Sequence, residues 1–146
     1  MRDILSNIQM TVGAPQTLSG VTPNNSAAVD LQGWGALSVY LKTNTVTDAG
    51  DATGFSIKLQ HSDALVGSGF VDVPAAEIKG TIAAVTLDTA DDIIAPGGLS
   101  YLGVKRYVRA VVTGSTLTNA VVTPLFVRGK PAQAPVTPVG ATVATT

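Results

Sequence analysis

Apolar and polar residues alternate with a period of two over several segments, and this pattern constrains the fold most strongly. Within residues 36–42 every second side chain is apolar, namely Leu37, Val39 and Leu41. Residues 55–60 repeat the pattern with Phe55, Ile57 and Leu59. Successive side chains of a β-strand point to opposite faces, so both segments predict strands with one buried face.

Further strand candidates follow along the whole chain. Near the start, Ile8, Met10 and Val12 alternate with polar residues. Shorter or longer candidates cover residues 27–31, 70–73, 83–87, 106–113 and 119–128, and only residues 75–79 could form a helical turn. Turn-forming residues separate these segments. The spacing predicts an all-β, antiparallel two-sheet sandwich, namely an eight-stranded jelly roll, with a seven-stranded immunoglobulin-like sandwich as the alternative.

The last strand candidate contains Pro124. Proline has no N–H to donate to a neighbouring strand. We therefore expect this strand to lie at a sheet edge or to be bulged at Pro124.

The composition changes after Gly129, which predicts a sandwich domain over residues 1–129 and a tail over 130–146. The tail is rich in Pro, Ala, Thr and Val and has no alternation. Such a segment favours an extended course. It is either a disordered end or an arm on a neighbouring subunit, docked through Val136, Val139 and Val143.

Charge and composition exclude several classes of function. Only 13% of the residues are charged and the net charge is −1, so no basic surface is expected for nucleic acid or a membrane. The chain has no cysteine and one histidine, which argues against most metalloenzymes and catalytic triads. The opening residues do not resemble a secretory signal. So little charge favours permanent association with other proteins.

The clusters of reactive side chains do not predict catalysis. The residues of His61-Ser62-Asp63 point alternately to opposite faces of a strand, so they cannot form a relay, and we expect water or backbone to satisfy His61. The loop carrying Asp48 and Asp51 lacks the ligand spacing of a helix–loop–helix calcium site. Asp91-Asp92 is interpreted as a solvated turn. We expect no enzyme activity, no catalytic residue, no cofactor and no metal.

The candidate partner-binding residues are one aromatic and several cations. Trp34, the only tryptophan, lies between two glycines, where it could plug the sandwich or anchor a partner. The cations of the last two strands would gather on one side if those strands pair as a hairpin. The candidate interface residues are Trp34, Arg106, Arg109, Arg128, Lys130, Val136 and Val139.

Two stretches resemble a known family. Ile57–Asp63 is a strand that ends in His-Ser-Asp, and Gly69–Val73 follows as a short Phe-x-Asp-Val strand. Downstream, Tyr101–Thr113 contains an Arg-Tyr-Val-Arg strand. Residues 30–34, which lead into the strand predicted at residues 36–42, also belong to the resemblance. Over about residues 29–128 the chain resembles the capsid cement (decoration) proteins of tailed phages, of the Bordetella phage type.

The resemblance implies a jelly roll that binds the outside of a phage capsid and stabilises the junctions between capsomers. The implied partner is the major capsid protein. Copies of the chain are expected to associate, with a dimer as the first choice and a trimer as the second. The implied location is the virion surface, after synthesis in the cytoplasm of the bacterial host. The alternative function is a tail or receptor-binding module that recognises glycans.

Overall fold

The computed structural model describes residues 4–65 and 69–132, which form a β-sandwich. The two antiparallel sheets contain eleven strand segments: β1 (Ile8–Val12), β2 (Gln16–Ser19), β3 (Asn24–Asn25), β4 (Val29–Asp30), β5 (Trp34–Asp48), β6 (Ser56–Ser62), β7 (Val71–Asp72), β8 (Ile78–Lys79), β9 (Leu99–Tyr101), β10 (Tyr107–Thr113) and β11 (Asn119–Pro131). Single 3₁₀ turns occur at Leu5–Asn7 and Ala75–Glu77, the second within the predicted helical turn. No helix within the described ranges is long and apolar enough to cross a membrane.

The strand order is that of a jelly roll. The six-stranded sheet has the order β1-β11-β5-β9-β8, and β2 also pairs with β11. The five-stranded sheet has the order β3-β10-β6-β7, and β4 also pairs with β10. The segments β1 and β2 follow each other along β11, and β3 and β4 follow each other along β10. When each such pair counts as one strand and β8 as an edge addition, eight strands remain, as predicted.

The predicted inward faces form the core. The side chains of Leu37, Val39 and Leu41 on β5 are at most 2% exposed. On β10 the alternate residues Val108, Ala110 and Val112 are fully buried. These positions face each other across the sandwich and join two apolar clusters that run along its length.

Pro124 does not lie on an edge strand, which corrects the sequence prediction. Strand β11 is interior, with β5 on one side and β1 and β2 on the other, and its register shifts fall between residues 119 and 122. The N–H of Gly13 donates to the Pro124 carbonyl at 2.8 Å, so the proline nitrogen faces the gap between β1 and β2. A Cβ on Gly13 would lie 2.8 Å from Pro124 Cγ, so the gap requires a glycine. Because the partner strand is interrupted between β1 and β2, no carbonyl there requires a backbone N–H from Pro124.

Other strand predictions need smaller corrections. Residues 83–87 form no strand, because only a single bridge joins Phe55 to Val85. The segments β2, β3, β8 and β9 were not predicted, since they are short and lack clear alternation. Strand β11 continues to Pro131, two residues beyond the predicted boundary after Gly129. Strands β10 and β11 lie in different sheets, so the hairpin that would gather their cations does not form.

Candidate interaction surfaces

Several predicted interface residues meet at one end of the sandwich, around the start of β5. Gly33, with φ +81°, allows the tight turn in which the Trp34 N–H donates to the Leu31 carbonyl at 2.9 Å. Just before this turn, the carboxylate of Asp30 accepts two hydrogen bonds from Arg106, at 2.9 and 2.7 Å. The two-point contact fixes the segment between β4 and β5 against the start of β10.

Arg128 joins the same cluster from inside the sandwich. Its guanidinium lies over the Trp34 ring, 5.0 Å from the ring centroid. It donates to the Asp30 carbonyl at 2.9 Å and to the side chain of Gln9. Through these contacts Arg128 connects β1, β4 and β5, which is a structural role. The other candidate of this strand, Lys130, is exposed and has a φ of +50°.

The two arginines have different electrostatic environments. The hydrogen bonds from Arg106 hold the pKa of Asp30 below its usual value, and the same contact raises the pKa of Arg106. Burial lowers the pKa of the Arg128 guanidinium. Its Nε is buried and has no hydrogen-bond partner within the described ranges. Arg106 is thus an exposed ion-pair partner, whereas Arg128 is a partly desolvated cation held by neutral oxygens and a ring.

Arg109 lies elsewhere, on the outward side of the five-stranded sheet. It donates two hydrogen bonds to Gln60 Oε1, at 3.0 and 2.7 Å, and its guanidinium lies 4.4 Å from the Phe70 ring centroid. Gln60 in turn donates to Asp72 at 2.7 Å, and Lys58 pairs with the same carboxylate at 2.7 Å. We call this network of Lys58, Gln60, Asp72 and Arg109 the charged face.

Part of the outward surface of the six-stranded sheet, along β1 and β11, is apolar. Phe126 is buried, and its strand neighbours Leu125 and Val127 therefore point outward; the β1 residues opposite them are Val12 and Met10. The side chains of Met10 and Val12 are 45% and 59% exposed. We call this surface, formed by Ile8, Met10, Val12, Leu125 and Val127, the apolar face. The sequence showed the alternation of β1 but not which side of it faces water.

His61 is not at a solvated strand end, which corrects the sequence interpretation. Its side chain is buried, and Nδ1 lies 2.9 Å from the Tyr101 hydroxyl and 3.6 Å from Glu77 Oε2. The Tyr101 hydroxyl also accepts a hydrogen bond from the Lys105 N–H at 3.0 Å. Burial raises the pKa of Tyr101. This contact links β6 of one sheet to β9 of the other across the core.

The acidic clusters have local partners. Asp48 accepts the Gly50 N–H at 2.7 Å, and Asp51 accepts the Thr53 N–H at 2.8 Å. Asp91 accepts the Val46 N–H at 2.6 Å, and Asp92 pairs with Lys42. In the part of the chain that the structure describes, no group of three or more His, Cys, Asp or Glu side chains could hold a metal ion.

The last two candidates, Val136 and Val139, lie outside the described residues. The described chain ends at Ala132, whose N–H donates to the Gly33 carbonyl at 2.7 Å. The last described residue therefore lies next to the turn that precedes Trp34.

Comparisons with known proteins found a similar solved structure and no matching sequence. No protein-family model and no curated protein sequence matches this chain. One similar solved structure is described as "Bacillus endospore appendages form a novel family of disulfide-linked pili". It has 12% sequence identity and a TM-score of 0.39, over 86% of this chain and 89% of that chain.

Proposed function

We propose that this protein is a non-enzymatic structural component of a phage particle, a cement protein that binds the outside of the capsid. The contrast between the apolar face and the charged face carries this proposal. An uncharged, partly exposed sheet surface loses water at little cost when another protein covers it. The charged face, whose ionic groups are expensive to desolvate, suits the side that stays in water.

The proposal combines two sources. The resemblance of residues 29–128 to capsid cement proteins supplies the partner, the major capsid protein. The distribution of apolar and charged side chains supplies the surface that would contact it. Neither observation requires a catalytic group, a cofactor, nucleic acid or a membrane.

The bound protein would stabilise the capsid by adding buried surface area at the junctions between capsomers. A subunit that contacts two neighbouring capsomers must be removed from both before they can separate. Association of the subunits, as a dimer or as a trimer, increases this effect because linked weak contacts act together.

The first test is composition of the particle. Virions purified from the host of this phage should contain the protein at a copy number comparable with that of the major capsid protein, as measured by quantitative mass spectrometry. Absence from purified virions would overturn the proposal.

The second test locates the contact surface. Val12→Asp places a charge on the apolar face, and Ser56→Asp places the same charge at an exposed position on the outward side of the five-stranded sheet. We expect Val12→Asp to weaken binding to capsids that lack the protein by about tenfold or more, and Ser56→Asp to bind normally. Equal binding of both variants would show that another surface makes the contact.

A further inference from the structure

Strand β1 forms an edge of the six-stranded sheet. On one side it pairs with β11, in a register that runs from Ile8 opposite Gly129 to Val12 opposite Leu125. On its other side, no strand of the described part of the chain pairs with it. An edge strand presents backbone N–H and C=O groups that can pair with a strand of another chain.

The register shows which backbone groups of β1 lie on the free side. The Gly13 N–H donates to the Pro124 carbonyl at 2.8 Å. Alternate residues of an antiparallel strand bond to the same neighbour, so Thr11 and Gln9 also bond to β11. The N–H and C=O groups of the residues between them point to the free side, namely those of Ile8, Met10 and Val12. Residues of the described ranges make no backbone hydrogen bond to them there.

The other edge segments are protected in ways that β1 is not. Segments β3, β4, β7 and β8 have two residues each, and Asp30, Asp72 and Lys79 place a charge in three of them. Segment β2 has four residues and exposes the hydroxyl side chains of Thr17 and Ser19. Strand β1 has five residues without a charge or a proline, and its exposed side chains are apolar. Short length, charge and proline are the usual protection of a sheet edge, so β1 is the unprotected edge.

We propose that β1 pairs with β1 of a second copy of the chain, antiparallel and around a two-fold axis at Met10. In this register Met10 lies opposite Met10 of the second copy, and Ile8 lies opposite Val12 of the second copy. Each pair exchanges two backbone hydrogen bonds, because all three residues direct both backbone groups to the free side. The same groups are satisfied on both chains, as a closed two-fold dimer requires.

The side chains of β1 favour a second copy as the partner, because their pattern is symmetric about Met10. The strand has no charged residue, so no like charges meet at the axis. On the outward side, Ile8, Met10 and Val12 would contact the same three side chains of the other copy, and apolar cross-strand pairs stabilise a sheet. On the inward side, Gln9 would lie opposite Thr11 of the other copy. Apolar side chains therefore meet apolar ones, and polar side chains meet polar ones.

The pairing joins the six-stranded sheets of two copies and leaves their outward sides uncovered. One pair of five-residue strands is a small interface, so we expect a dissociation constant of about 1–100 µM. This inference goes beyond the proposed function, because it concerns contacts between copies and is tested without capsids.

The first experiment measures the mass of the full chain by sedimentation over a range of concentrations. We expect an equilibrium between monomer and dimer. Met10→Lys and Met10→Glu should each raise the dissociation constant by about tenfold or more, because two like charges would lie directly opposite each other. An equimolar mixture of the two variants should restore the dimer, because opposite charges then meet at the axis.

The second experiment separates strand pairing from packing of the two apolar faces. Met10→Pro removes an N–H on the free side of β1, which a folded edge strand tolerates, and should be monomeric. Thr17→Pro is the matched control and should dimerise normally. The Gly20 N–H donates to Thr118, so the Thr17 N–H, at an odd spacing from Gly20, lies on the free side of β2. Circular dichroism checks that both variants fold.

The third measurement needs no variant and decides the matter if Met10→Pro does not fold. Hydrogen exchange of the Ile8, Met10 and Val12 amides should slow as the concentration rises through the range in which the dimer forms. The Thr17 and Ser19 amides should exchange at an unchanged rate.

Three results would overturn the inference. The first is a chain that stays monomeric up to about 1 mM. The second is a dimer in which the amides on the free side of β1 exchange as fast as in the monomer. The third is a mixture of Met10→Lys and Met10→Glu that stays monomeric. A monomeric chain that binds capsids through the apolar face would overturn this inference alone, so the two proposals can fail separately.

Discussion

The outward surfaces of the two sheets differ in kind although both sheets cover the same core. On the five-stranded sheet, Lys58, Gln60, Asp72 and Arg109 form one connected network. On the six-stranded sheet, the edge strand β1 and its neighbour β11 carry Met10, Val12, Leu125 and Val127 outward. The central strand β5 carries polar residues outward, and one of them, Lys42, pairs with Asp92. An isolated sandwich needs polar residues on both outward surfaces. The apolar face is therefore the surface at which we place the proposed contact with the capsid.

The comparison also separates two kinds of apolar residue. Val39 and Val12 lie in the same sheet, but Val39 is fully buried and Val12 is 59% exposed. Positions that are buried within the monomer and positions that are buried only in an assembly both carry apolar residues, so the sequence does not distinguish them. Substitutions can tell them apart, because only the first kind is needed for folding.

The largest expected effect is that of Val39→Asp. It places an unpaired charge in the core, at a cost of more than about 4 kcal/mol, which is enough to prevent folding of a domain of ordinary stability. Val12→Asp, with the same charge on the outward side, should fold with a native circular dichroism spectrum. If both variants unfold, the apolar face is part of the folding core and the contrast between the two faces is wrong.

An intermediate effect is expected for His61→Ala, which removes the polar contact between the two sheets. The buried Tyr101 hydroxyl loses a partner, and the loss should cost about 1–3 kcal/mol in urea unfolding. Ser56→Ala, at an exposed position of the same strand, is the control and should change stability by less than about 0.5 kcal/mol. A change equally small for His61→Ala would mean that water replaces the imidazole and that the contact does not hold the sheets together.

The smallest effect concerns acid. Hydrogen bonds from Arg106 and from Lys58 and Gln60 lower the pKa values of Asp30 and Asp72 below 3.8 in the folded state. A lowered pKa stabilises the fold above the unfolded value, and this contribution disappears as the pH falls through the lowered value. Stability to urea should thus be constant near neutral pH and fall below about pH 4.

The control for this prediction lies on the other face. Asp72→Asn should make the acid decline shallower. Met10→Ser replaces one of the five residues of the apolar face, none of which is a carboxylate, and should leave the shape of the decline unchanged. An identical pH profile for Asp72→Asn and the native chain would show that the ion pair of the charged face does not contribute.

The structure places some of the predicted interface residues close together and others apart. Trp34, Arg106, Arg128 and Lys130 were predicted as interface residues, and they lie near one end of the sandwich. They meet there through Asp30 and the turn at Gly33, not through a hairpin of the last two strands. Arg109 was grouped with them because it is close in sequence, yet it belongs to the charged face.

The sequence by itself determined the all-β character and the inward faces of β5 and β10. An alternation of period two requires a strand with two unlike sides, and no long-range information is needed to see it. The tertiary structure alone decided which side of β1 is buried. There Gln9 and Thr11 point inward because Arg128 needs their oxygens, and Met10 and Val12 are left outside. It also decided that Pro124 could occupy an interior strand, since the gap between β1 and β2 lies beside it. Both outcomes depend on residues more than one hundred positions away in the sequence, and local alternation contains no information on such contacts.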